Sequence, residues 1–571
     1  MLLKRLQLAI SILFVSISMS VAQGRNTELK RTYLSATRVI WQSEAGVSGT
    51  EYLLQPGIGQ AILGQGKMCV LNSKEGRKPG LLLDFGRELH GGLELVTGMY
   101  PGNAAVRVRI RFGESVGEAM SELGGERNAT NDHAVRDMVV SLPWLGKLEL
   151  GNTGFRFVRI DILDSDREIH LKEVNAVSVM RDIPYLGSFK SSDSLLNRIW
   201  DTGAYTVHLN MQDYLWDGIK RDRLVWVGDL HPEVATVMAV FGEQEVVRKS
   251  LDLARNTTPL PEWMNGISTY SMWWILIHRD WYRQYGDKKY LEEQKSYLLG
   301  LLEHIFTKVG PDGGEKLDGT RFLDWPSSEN APAIGTGLQA MMVWSLQAGG
   351  ELATLLGEGA MAERCMAAVK KLGAKPQMAF GSKQAAALLS MAGMWTPEKA
   401  VKEVVGVGGA KNFSTFYGYY MLEAMAAAGQ HREAMDIIRA YWGGMLQMGA
   451  TSFWEDFNVE WMEGSTGIDE MPVAGKKDIH GDFGAYCYIG YRHSLSHGWA
   501  SGPTAWLSRH VLGVEVLDPQ TVRIRPQLGD LSYAEGTYPT KYGILTVKHE
   551  KQADGKVMTE YRAPEGLKVL K

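Results

Sequence analysis

The sequence predicts a multidomain chain: a central (α/α)6 barrel, an N-terminal antiparallel β-sandwich before it and a small C-terminal β-domain after it. Three observations predict this. The 571 residues are too many for one domain of roughly 150. Apolar residues alternate singly on both flanks but recur at helical spacing across the middle. The helical patterns come in pairs with short connections, as αα-hairpins do.

Composition narrows the function. With 45% hydrophobic and 22% charged residues the chain is globular rather than disordered. A net charge of -4, with no run rich in lysine or arginine, argues against a nucleic-acid partner bound through its phosphates. Three widely spaced cysteines, Cys69, Cys365 and Cys487, support neither a disulfide framework nor a cysteine zinc site. Aromatic residues are plentiful, with 17 Trp and 22 Tyr.

The elements follow in order. Residues 1-22 carry Lys4 and Arg5, an apolar run from Leu8 to Val21, and small residues at Ser20 to Ala22. This is the pattern of a secretory signal peptide, so a periplasmic or secreted protein is expected, with no membrane anchor after its removal. Residues 23-182 form the predicted sandwich. Val106 to Phe112 alternates strictly, and Leu81 to Leu83, Leu93 to Val96 and Phe155 to Leu163 read as further short strands separated by turns. Residues 183-512 form the predicted barrel. Asp193 is a candidate N-cap ahead of Leu195, Leu196, Ile199 and Trp200, and Gly429 divides the stripe Phe416, Tyr420, Ala424 from Ala434, Ile437, Ile438. Residues 513-571 alternate again as the C-terminal β-domain.

Chemistry concentrates in three stretches. Asp217 to Asp229 reads DGIKRDRLVWVGD and lies between two helical patterns, with Asp229 a candidate cap of the second helix. Its carboxylates and arginines suit sugar hydroxyls and general acid/base work. Gly449 to Phe457 places Glu455 and Asp456 between Trp454 and Phe457. Tyr491 to Trp499 holds His493 and His497, which one helix face would present together. No third ligand accompanies them, so no metal and no cofactor are expected. Trp274 and Trp325 stand in further aromatic stretches near predicted helix ends.

The loop 217-229 resembles the signature of the bacterial α-L-rhamnosidase family of inverting glycosidases, roughly Asp-Cys-Pro-x-Arg-Asp-Glu-Arg-x-Gly-Trp-x-Gly-Asp. LDFG at 83-86, GFRFV at 154-158, GATSFWEDF and SHGWASGPTAWL fall in the family's order. The resemblance implies hydrolysis of a terminal rhamnosyl linkage in an oligosaccharide or polysaccharide, with Glu455 as base. It implies sugar binding by Asp217, Trp226 and Asp229, and Arg221, Trp274, Trp325, Trp454 and His497 complete the expected substrate contacts. This loop is one residue shorter than the family's, and the missing position is that of the acid glutamate. Asp222 is the nearest substitute as general acid, with Asp229 or Glu233 as alternatives. A non-catalytic carbohydrate-binding protein, or a glycosidase or lyase for a different sugar, is the alternative reading. Oligomeric state is left open.

Overall fold

The computed structural model describes residues 29-64, 66-486 and 488-571. The export segment expected at residues 1-22 and the cysteine at 487 lie outside the described residues. None of the described helices is long and apolar enough to cross a membrane.

The N-terminal unit is one antiparallel network of nine strands. Its main path runs Val47–Ser48, Cys69–Asn72, Glu168–Arg181, Gly80–Thr97, Lys147–Ile162, Val106–Gly113 and Asp137–Leu142. Leu29–Ser35 adds to Glu168–Arg181, and Arg38–Gln42 to Gly80–Thr97. The alternation along Val106–Gly113 buries Val106, Val108 and Ile110, while Arg107 and Arg109 pair with Asp164 and Asp137. Arg111 departs from it: the side chain is buried and held by Asp161 at 2.8 Å. Leu81 to Leu83 and Leu93 to Val96 are not separate strands. They are two halves of Gly80–Thr97, which bends at Gly86 (φ 85°) and Gly91 (φ 144°), where a side chain would be strained. A short helix α1 (Val116–Met120) follows the strand Val106–Gly113.

Twelve helices follow among the described residues: α2 (Ser194–Asn210), α3 (Val227–Val240), α4 (Glu245–Thr257), α5 (Ser268–Tyr285), α6 (Lys288–Thr307), α7 (Ala331–Leu355), α8 (Gly359–Gly373), α9 (Lys383–Met391), α10 (Pro397–Ala400), α11 (Gly418–Ala427), α12 (His431–Gln447) and α13 (Gly502–Trp506). Asp193 caps α2 as expected, its carboxylate accepting from the amides of Leu195 and Leu196. Gly429, at φ 76°, turns the chain between α11 and α12. Asp229 is not a cap: α3 starts at Val227 after Trp226, and Asp229 lies inside its first turn. The odd-numbered helices α3 to α13 each contact the next, and α13 contacts α3.

The last strands form two sheets. Tyr533–Thr540, Gly543–Lys551 and Val557–Arg562 are joined by Ser188–Ser191, contributed from the segment before α2. Val514–Asp518, Thr521–Ile524 and Lys568–Leu570 form the other. One continuous apolar core runs from Phe189 through the helices to Val547, so these sheets share the helical core; the N-terminal unit has its own.

The two cores meet along a polar seam. Arg156 grips Asp84 with two N–H groups at 2.8 and 2.9 Å and donates to the Gly449 carbonyl at 3.0 Å. Lys220, 1% exposed, reaches Glu118 at 2.9 Å and Glu114 at 3.4 Å, and donates to the carbonyls of Tyr491 and His493. The Gly154 amide donates to the Ile219 carbonyl at 2.8 Å. Removing the Lys220 ammonium strands buried carboxyls and carbonyls. Lys220→Met is expected to destabilise the protein by about 3–5 kcal/mol, read as a lowered denaturant midpoint; an unchanged midpoint would show that the seam is not held by this cation.

Candidate active site

Several residues singled out in the sequence, joined by Tyr270 and Thr415, converge where the chain enters the odd-numbered helices. Asp229 sits in the first turn of α3 and Tyr270 in that of α5, Trp325 precedes α7, Thr415 precedes α11, and His497 and Trp499 precede α13. Helix N-termini carry partial positive charge, so carboxylates gather there at reduced cost.

Arg221 is the hub. One Nη donates to Glu455 Oε1 at 2.6 Å and the other to Asp222 Oδ1 at 3.0 Å, while Nε donates to the Arg492 carbonyl. The guanidinium lies over the Tyr488 ring at 4.9 Å. Glu455 is further fixed through Oε2, which accepts from the Ser494 amide at 3.1 Å. Its carbonyl accepts from Thr415 Oγ1 and Trp499 Nε1. Burial alone would raise the Glu455 carboxyl, but Arg221 and then His497 outweigh it and hold the group down at about 2.

His497 lies between carboxyls. Nε2 is 2.9 Å from Asp229 Oδ1 and Nδ1 is 3.6 Å from Glu455 Oε1. Burial would strip its proton, yet the charge of Glu455, the hydrogen bond to Asp229 and the charge of Asp217 raise it to about 9. The other oxygen of Asp229 accepts from Tyr270 Oη at 3.2 Å. Asp217 closes its own loop: its carboxylate accepts from the Leu224 amide at 2.9 Å, and its carbonyl accepts from Asn210 Nδ2 and the Gly498 amide. Burial pushes the carboxyls of Asp217 and Asp229 up.

A second carboxyl pair stands beside the aromatic wall of Trp325, Tyr486 and Tyr488. Trp325 stacks on Tyr486 and donates from its indole to Tyr488 Oη at 2.7 Å. Burial raises Asp324 to about 6, against hydrogen bonds from Ser414 and Gln384. Burial and the neighbouring Asp324 charge raise Asp456 to about 7.

Asp217, Arg221, Asp222, Trp226, Asp229, Trp325, Glu455 and His497 are thus gathered around one site. Others are not. Trp274 is fully buried, with its indole N–H on the Leu251 carbonyl and its ring against His278 and Tyr297; it is core because its position on α5 faces the neighbouring helices. Trp454, 1% exposed, packs edge-on against Phe457 and backs the Glu455 segment rather than facing solvent. His493 and His497 share no helix face. They lie on a non-helical segment, where His493 Nε2 accepts from the Asp456 amide. Glu233 is fully buried, and Gly498 packs so closely over it that a Cβ there would come within 1.8 Å of its carboxylate. Burial, then the neighbouring charges of Asp229 and Asp217, push its carboxyl well up. Sequence reasoning missed Lys220 as a structural cation, Tyr488 beneath Arg221, and His133, which approaches Asp222 from the N-terminal unit. Lys220 stood within the charged loop; nothing in the sequence marked the other two.

The chain shares its fold with solved rhamnosidases. The rhamnosidase of Bacillus sp. GL1 superposes with a TM-score of 0.73 at 23% identity, covering 89% of this chain and 55% of that one. The α-L-rhamnosidase from Dictyoglumus thermophilum gives 0.68 at 18%, covering 94% and 58%. A rhamnosidase from Klebsiella oxytoca with rhamnose bound gives 0.64 at 18%, covering 84% and 96%. The chain therefore spans little more than half the length of the first two. No curated protein matches it. Residues 184–511 match the bacterial alpha-L-rhamnosidase 6 hairpin glycosidase domain. With more than half of its length in that match, the chain belongs to the bacterial α-L-rhamnosidase six-hairpin glycosidase family.

Proposed function

We propose that this chain is an exported, exo-acting α-L-rhamnosidase that hydrolyses rhamnose-containing polysaccharide fragments with inversion. The observation that carries the reading is the pair Asp222 and Glu455, held on opposite nitrogens of the Arg221 guanidinium. Inverting glycosidases keep their two carboxyl groups roughly 6.5–9.5 Å apart to leave room for water, and the family resemblance of the loop is to inverting enzymes. Asp222 protonates the leaving oxygen. Glu455 accepts a proton from the water that attacks the anomeric carbon from the opposite face. Asp217, Asp229 and His497 floor the sugar site, each no more than 3% exposed, which suits a pocket for a terminal residue. Trp226, half-buried and edge-on to Tyr270, offers an apolar face to the ring.

The cyclic contact order of the odd-numbered helices supports an (α/α)6 barrel, and the bent nine-stranded network with its own core supports a β-sandwich ahead of it. The charged and apolar pattern of residues 1-22 supports export to the periplasm or beyond.

Incubation with an aryl α-L-rhamnoside, followed by anomeric NMR, is expected to show the inverted anomer first. Glu455→Gln is expected to lower kcat by about two to four orders of magnitude with the fold retained, as loss of a general base does. Binding of rhamnosides without any product would instead favour the carbohydrate-binding alternative.

The electrostatics predict a pH profile. Glu455 remains an anion down to about 2, and His497 keeps its proton up to about 9. The acidic limb of kcat/KM that reports Glu455 should therefore lie below the ordinary carboxylate range, and the His497 transition should fall on the alkaline side. Arg221→Met takes away the largest charge holding Glu455 down and is expected to move the acidic limb upward by about 1–3 pH units. An unmoved limb in that variant would separate it from Glu455.

A further inference from the structure

The loop 217-229 departs from its family at Asp222, and there the backbone is strained. Asp222 and Arg223 take φ values of 52° and 56°, two successive side-chain-bearing residues in the left-handed region. The N-terminal unit holds this turn in place. Arg223 donates to the His133 carbonyl at 2.5 Å and to the Asn152 carbonyl at 2.9 Å. The same contact brings His133 Nε2 to 3.4 Å from Asp222 Oδ1. His133, itself at φ 62°, has its side chain 36% exposed against 18% for Asp222. A line of groups results: solvent, His133, Asp222, Arg221, Glu455.

The other charged groups near His133 are compensated. Asp132 Oδ2, 3.9 Å from His133 Nε2, is engaged by Arg492 at 2.8 Å. Arg223 is spent on the two carbonyls, and Arg221 lies beyond Asp222 on the Glu455 side. Asp222, at 3.4 Å against 3.9 Å for Asp132, is thus the nearer carboxylate to His133 and the one that shares Arg221 with Glu455.

We propose that His133, supplied by the N-terminal β-unit, is a positioning residue of the active site that holds Asp222 and resupplies the proton Asp222 gives to the leaving group. The proposal rests on the hydrolytic reading above. In the step, Asp222 O–H donates to the glycosidic oxygen as its bond to the anomeric carbon breaks, the electron pair leaving on that oxygen. Water adds to the carbon and yields its proton to Glu455, which releases it to solvent as the product departs. The imidazolium of His133 passes its Nε2 proton to the Asp222 carboxylate, and solvent reprotonates His133. A side chain on a separate domain thereby does part of the work of the glutamate absent from the loop.

The test uses the full-length protein and two substrates. A 2,4-dinitrophenyl α-L-rhamnoside leaves without protonation, whereas an alkyl α-L-rhamnoside needs the acid. His133→Gln and His133→Ala are expected to lower kcat/KM on the alkyl substrate by about 10²-fold and to leave the dinitrophenyl substrate little changed. Asp222→Asn should show the same split between substrates. Equal losses on both substrates, or no loss on either, would overturn the proposal. A wild-type protein that cleaves neither substrate overturns the hydrolytic reading itself, and with it this one; activity confined to variants of normal melting temperature excludes misfolding as the cause of a split.

Discussion

Lys220 is an ammonium almost without access to water, and much of the site depends on how it is compensated. Moving such an ion out of water costs several kcal/mol unless charges and dipoles replace its hydration. Here they come from two places at once: Glu114 and Glu118 at α1, and the carbonyls of Tyr491 and His493. Arg136 from the N-terminal unit also pairs with Glu118, at 3.1 Å. Because Arg221 is the next residue, the same compensation sets where its guanidinium emerges. The position of Glu455 then follows, since Ser494 and Arg221 fix its two oxygens.

Around that anchor the site sorts its protons by environment. Glu455 meets two cations and stays ionised, while Asp324 and Asp456, with one another for company, are pushed toward neutrality. His497 keeps its proton only because carboxyl groups surround it. Pushing neighbouring titratable groups apart in this way lets one cleft both donate and accept protons near neutral pH.

Much of this was legible in the sequence, for physical reasons. Two-residue alternation and helical stripes reflect burial directly, so the strand at 106 to 113, the cap at Asp193 and the hairpin at Gly429 could be read from spacing. The cluster of Asp217, Arg221, Asp222 and Asp229 could be read because these residues share one loop. What depends on distant contacts could not. Trp274 carries the same side chain as Trp325, and only helix packing decides that the first is core and the second borders the site. The continuity of Gly80–Thr97 was hidden because glycines that bend a strand look the same as glycines that end one. Ser188–Ser191 pairs with residues some 350 positions later, beyond any local pattern. His133 meets Asp222 across a domain seam for the same reason.

Gly154 gives that seam a wider meaning. A Cβ at this position would lie 2.8 Å from the Ile219 side chain and 3.0 Å from the Lys220 amide, so the β-unit and the loop touch backbone to backbone. A contact that tight works as a mould: the loop takes its shape from the surface against which it is pressed. The helical domain is therefore not a self-contained module that could be lifted out and joined to another β-unit without changing this loop. Any change of partner at this face reshapes the loop that carries Arg221 and Asp222.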